Sequence, residues 1–151
     1  MEDRRGDACG GGAGPDRWRP SLILTVTRRR APRAASSPTG ADGGPPLSAD
    51  DARRAIDLFV ARTGGGDVKL VGGEPLLRPD VVTAVMRHIA DTPHVSLDVS
   101  TDGTRLTDDL LTSFAASPRV TLALSLPGED TSFAHVERWL PRLLALPRFV
   151  V

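Results

Sequence analysis

Glu74 carries the clearest chemical signature in the chain. It stands in VKLVGGEPLLRPD (Val68 to Asp80), directly after two glycines and directly before a proline. The apolar run ahead of it reads as a buried strand, so its carboxylate would lie at a strand's carboxyl end, where parallel α/β sheets bind ligands. Gly72 and Gly73 let the backbone approach a ligand closely, and a carboxylate placed there suits an ammonium group. An ordinary turn explains the same residues, with glycine taking up positive φ and Glu74 near a helix start. On these four residues alone, the turn is the better account.

Other reactive side chains offer less. His88, His94 and His135 are far apart in sequence with no carboxylate at ligand spacing, and they read as surface residues. Arg28, Arg29, Arg30 and Arg33 cluster after the first apolar run. No aromatics interleave with them, and the chain balances 19 basic against 19 acidic residues, so a solvated loop is a better reading than a nucleic-acid site. Ser36 and Ser37 have no His-Asp pairing in view. Trp18 and Trp139 read as packing groups. Cys9 is the single cysteine, which rules out an internal disulfide and a cage of cysteines around a metal. Lys69 is the single lysine; the arginine, alanine and glycine content looks like codon bias rather than a device.

The elements that must position these residues alternate regularly. Residues 1–19, rich in Gly, Asp and Arg, have little to bury and read as a disordered tail. Ser21–Thr27 is a strand, followed by a long Pro-, Gly- and Ser-dense loop to Pro46, of a length that is usually functional or disordered. Ser48 with Asp51 resembles a capping box for a helix carrying Ala52, Ala55, Ile56, Phe59 and Val60. DVKLV is the second strand. Pro79 opens a second helix with Val82, Val85, Met86 and Ile89 on one face. HVSLDVS is the third strand, and Thr107 caps a third helix with Leu110, Leu111 and Phe114. RVTLALSL is the fourth strand. A fourth helix carries Val136, Trp139, Leu140, Leu143 and Leu144, kinked or interrupted at Pro141, and RFVV starts a fifth strand. The alternation predicts an α/β fold with about five parallel strands and outer helices. Ser96, Asp98 and Ser100 alternate with Val95, Leu97 and Val99. Thr121, Ala123 and Ser125 alternate with Val120, Leu122 and Leu124. One sheet face is therefore small and polar, and Thr25, Thr27 and Lys69 fit it. A central doubly wound strand is apolar on both faces, so the pattern suits a partial (β/α) barrel with a wet concavity; a solvated face on an incomplete sheet fits as well.

Three segments, in order and each at a strand end, carry a family resemblance. KLVGGEPLLRPD resembles the GGEP segment of radical S-adenosylmethionine (radical SAM) enzymes, DVSTDGTRLTDDLL (Asp98–Leu111) the family's S-T-N-G strand end, and LALSLPGED (Leu122–Asp130) its fourth strand, with Pro127 replacing the usual aspartate. The resemblance covers roughly Ser21 to Val151 and implies a partial barrel over residues 20–151. Carried over by position, it implies S-adenosylmethionine contacts from Gly72, Gly73, Glu74 and Pro75, from Ser100 and Asp102, and from Ser125. Asp102 replaces the family's usual asparagine; it can accept from a ribose hydroxyl but repels the methionine carboxylate.

One departure governs the functional expectation. The family places CxxxCxxC after its first strand, three thiolates holding a four-iron, four-sulfur cluster. Here the spacing falls on Arg30, Ala34 and Ser37. Alanine offers no donor, arginine no lone pair, and such clusters need thiolates. The resemblance thus implies a degenerate member: no cluster, no radical chemistry of its own, and weak residual S-adenosylmethionine binding or a scaffold role. The alternatives are a component working with an intact partner that supplies the cluster, and a gene remnant. The family's sixth strand is missing from the pattern, which predicts a C-terminal truncation, an open sheet edge, and self-association or a protein partner there. No nucleic acid and no membrane partner is expected: no apolar run approaches the roughly 20 residues a bilayer span needs, and a cytoplasmic protein is the default.

Overall fold

The structure, a computed structural model, describes residues 19–28, 45–125 and 134–151. Five strands form one sheet: β1 (Ser21–Thr27), β2 (Gly66–Gly72), β3 (Val95–Thr101), β4 (Val120–Leu124) and β5 (Phe149–Val150). All are parallel and their spatial order is the sequence order, β1-β2-β3-β4-β5. The helices lie in the crossovers: α1 (Ala49–Thr63), α2 (Pro79–Asp91), α3 (Asp108–Ala115), and the short α4 (Ala134–Glu137) and α5 (Leu140–Leu143). A doubly wound sheet reverses its strand order at a switch point. Here the order never reverses, so crossovers of one hand place every helix on the same face. This decides between an open doubly wound sheet and part of a barrel in favour of the partial barrel.

Side-chain burial follows that geometry. On β3, Val95, Leu97 and Val99 are fully buried toward the helices, while Ser96, Asp98 and Ser100 are half-buried on the other face. Val68, Leu70, Leu122 and Leu124 continue the core row, packed under Ala52 and Ile56 of α1, Val82, Val85, Met86 and Ile89 of α2, and Leu111 and Phe114 of α3. Across the face that no described helix covers, Ile23, Lys69, Asp98 and Thr121 stand in one register row. Two departures from the expected polar face appear. Ile23 is 61% exposed on it, and Thr27 leaves it: a bulge between Thr25 and Thr27 shifts the register so that Thr27 pairs with Gly72 and is buried.

The helix signals act as the sequence indicates, with local differences. Ser48 Oγ accepts the Asp51 amide at 3.1 Å, and its hydroxyl donates to the Asp51 carboxylate at 2.6 Å, a side-chain clasp in place of the usual reciprocal capping box. Pro79 opens α2, and Thr107 Oγ1 accepts the Leu110 amide at the start of α3. The last carbonyls of α2 are satisfied from another element: the Arg119 guanidinium, just ahead of β4, donates to Ile89 O at 2.7 Å and Ala90 O at 2.8 Å. The expected fourth helix is two short ones, because Pro141 cannot continue the α4 hydrogen bonds. Val136 and Leu143 bury, whereas Leu144 is 74% exposed. His88 finds a carboxylate after all, Asp57 of α1, at 2.7 Å from its Nε2.

Candidate functional site at the strand mouth

The carboxyl ends of β2, β3 and β4 converge on one mouth, and the glycines explain how β2 reaches it. Gly72 adopts φ +138°, and a Cβ there would meet the Thr27 carbonyl oxygen at 2.2 Å. Only glycine fits so close to β1 in that conformation. The Gly73 amide donates to the same carbonyl at 2.7 Å. Glu74 then extends (φ −144°) and caps a single 3-10 turn, Pro75–Leu77, which leads into α2.

Glu74 is not displayed to solvent. It is 1% exposed. Its Oε1 accepts the Leu76 amide at 2.9 Å and the Thr101 hydroxyl at 2.7 Å; its Oε2 accepts the Asp102 amide at 2.8 Å. Burial pushes the carboxyl above its ordinary value of 4.5, and the Asp102 charge adds to the rise, against the pull of the three hydrogen bonds.

At the end of β3, Thr101 Oγ1 also accepts the Gly103 amide at 3.0 Å. Asp102, half-buried, folds its Oδ1 back on the Thr104 amide at 2.8 Å and the Thr104 hydroxyl at 2.6 Å, an Asx turn. Gly103, at φ +79°, packs under Leu124 and Val136. The Asp102 carbonyl accepts from His135 Nε2 at 3.1 Å.

The residues expected at the site are therefore distributed unevenly. Glu74 and Asp102 are bonded directly, and Gly72, Gly73 and Pro75 form the loop beside them. Ser125 is exposed, its amide donating to Thr101 O at 2.8 Å. Ser100 is half-buried on the face that no described helix covers, opposite Ala123. Arg30, Ala34 and Ser37 lie outside the described residues, as do residues 1–18 of the expected tail and Leu126 and Pro127 of the fourth-strand motif. Two residues escaped the sequence reading. Thr101 sits in phase with Val95, Leu97 and Val99, and a polar residue on a buried phase must find a partner; that was the available signal. His135 reaches the mouth from another crossover, which no local pattern announces.

Five consecutive parallel strands, helices on one face and a glycine-glycine-glutamate loop at the strand mouth define a β/α partial-barrel protein. The chain matches the Radical SAM superfamily over residues 29–138 and belongs to it. A GTP 3',8-cyclase from Streptomyces coelicolor is 40% identical to it over 57 residues, 38% of this chain but 17% of the cyclase's own length. Among the described residues, no helix is long and apolar enough to cross a membrane.

Proposed function

We propose that this chain is a radical SAM domain that assembles no iron-sulfur cluster of its own and keeps weak S-adenosylmethionine binding at the strand mouth. The observation that carries the first half is the donor set: the whole chain has one cysteine, Cys9, and the three cluster positions hold Arg30, Ala34 and Ser37. A guanidinium, a methyl and an un-ionised hydroxyl do not fit a cluster that needs thiolates, so no reductive step is assigned to this protein. The second half rests on the mouth. Gly72, Gly73 and Pro75 offer backbone groups close to a ligand; Ser100, Asp102 and Ser125 follow at the ends of β3 and β4, with Asp102 accepting from a ribose hydroxyl or an ammonium group. Glu74 contributes by holding the loop rather than by reaching the ligand.

Anaerobic reconstitution with iron and sulfide quantitation, followed by calorimetric titration, tests both halves. The expected outcome is no stoichiometric iron or sulfide and no broad visible absorbance. S-adenosylmethionine and S-adenosylhomocysteine bind with a dissociation constant on the order of 0.1–1 mM, in preference to adenosine, because a few uncompensated polar contacts give about that affinity. A reconstituted cluster overturns the first half; equal binding of adenosine overturns the second.

A second reading is favoured by the surface. Of six exposed large apolar side chains among the described residues, four, Leu140, Leu144, Val150 and Val151, lie within the last stretch of the fold. Exposed apolar side chains gathered in one stretch of the chain favour association, and they support a role beside a partner chain, including an intact enzyme that supplies the cluster.

A further inference from the structure

The ladder between β2 and β3 stops early. Its last register pair is Leu70 with Val99. Beyond that point the two strands turn to opposite neighbours: Gly72 and Gly73 bond to Thr27 of β1, while Thr101 pairs with Leu124 and its carbonyl takes the Ser125 amide from the β4 side. A wedge therefore opens between the exits of β2 and β3, at the place where the proposed ligand's backbone contacts lie. The Glu74 carboxylate fills the wedge, bonded on one side to Leu76 of its own loop and on the other to Thr101 and the Asp102 amide. Thr101 extends the chain of bonds to Gly103.

We propose that Glu74 and Thr101 are a positioning pair that sets the distance between the loop Gly72–Pro75 and the loop Asp102–Thr104. Resting on the ligand reading above, this makes the pair the device that holds the mouth at the width S-adenosylmethionine needs. Several features distinguish it from a carboxylate buried by accident. All three donors converge on it from both loops. The hydroxyl that bridges them is held from both sides, donating to Glu74 and accepting from Gly103. The pair sits where the backbone ladder has ended and nothing else among the described hydrogen bonds joins β2's exit to β3's exit.

The test uses the full chain with Thr101→Val, which keeps shape and removes the hydroxyl, and Thr101→Ser, which restores it. Amide hydrogen exchange without ligand decides the positioning claim. In Thr101→Val, exchange at Leu76, Asp102 and Gly103 rises about tenfold, the size of one net hydrogen bond, while the amides of the β1–β2 ladder stay at wild-type rates. Thr101→Ser returns the three amides to within about twofold of wild type. Uniform acceleration across the sheet, or no change at the three amides, overturns the proposal. A second arm measures S-adenosylmethionine binding at a temperature where all three proteins are folded. About tenfold weaker binding in Thr101→Val with recovery in Thr101→Ser supports positioning of the ligand site. Unchanged affinity overturns that half. If wild type binds no S-adenosylmethionine, the ligand reading falls, and the exchange result still decides whether the pair fixes the loops.

Discussion

At the scale of single residues, Glu74 shows how a carboxylate at a ligand mouth can be spent on the fold. Removing it with Glu74→Ala strands the Leu76 and Asp102 amides and the Thr101 hydroxyl in a buried place. Each orphaned donor costs about 1–3 kcal/mol, so a loss of at least about 3 kcal/mol in denaturant unfolding is expected. Glu74→Gln keeps one acceptor oxygen and is the milder change. The two variants also separate on pH. Because the folded carboxyl titrates above its ordinary 4.5, the folded state holds its proton more tightly than the unfolded chain does. Its contribution is fully present below about pH 4.5 and is lost as pH rises through the folded value. Wild-type stability should decline across that window, and Glu74→Gln should lack the decline. The Asp102 charge beside the carboxyl adds to the rise. Asp80, held low by the Arg78 fork, acts with the opposite sign but is exposed. The glutamate itself was legible in the sequence; its burial was not. Exposure at a strand exit depends on what crosses above it, here the end of a strand 27 residues later.

At the scale of elements, the strand pattern told more than the helix pattern. Alternation in β3 and β4 named both faces correctly, because a period of two forces consecutive side chains to opposite sides. It failed at Thr27, where one extra residue in β1 reverses the phase, and no local signal marks a bulge of that kind. The last helix was drawn too long because apolar spacing persists from Val136 to Leu144 while Pro141 removes the hydrogen bond that would join its halves. Two substitutions probe element junctions. Gly72→Ala forces a methyl against the Thr27 carbonyl in a left-handed backbone conformation. A loss of about 1–3 kcal/mol is expected from the strained backbone, with the clash added, seen as a lower melting temperature. Arg119→Met keeps the stem and removes the cap on α2. About 1–2 kcal/mol should be lost, for carbonyls that return to water or stay unpaired, with faster amide exchange at the end of α2 as the local readout.

At the scale of the whole molecule, two groups of side chains stand outside the described layers: the face of Ile23, Lys69, Asp98 and Thr121, which no described helix covers, and the exposed Leu140, Leu144, Val150 and Val151. The first is polar enough to stand in water. The second group is apolar, which favours self-association or a partner. The purified 151-residue chain should scatter light as a dimer or larger species, and the double change Leu144→Lys with Val151→Lys should shift it toward monomer. A sharp monomer in the unaltered chain would contradict the partner reading.

The strictly sequential strand order has a bearing on synthesis. Among the described strands, each from β2 onward pairs with the one made just before it. A chain leaving the ribosome can lay down β2 on β1, close α1 over them, and repeat the step with each βα unit, so the contacts that set the pace span one unit rather than the whole length. The same rule makes the outermost units the removable ones: losing one exposes a new edge without unthreading anything already built. The wedge at the mouth is different in kind, because Glu74 has only the Leu76 amide of its own loop until Thr101 and Asp102 have emerged, and the loop it holds is finished a full βα unit after it is made.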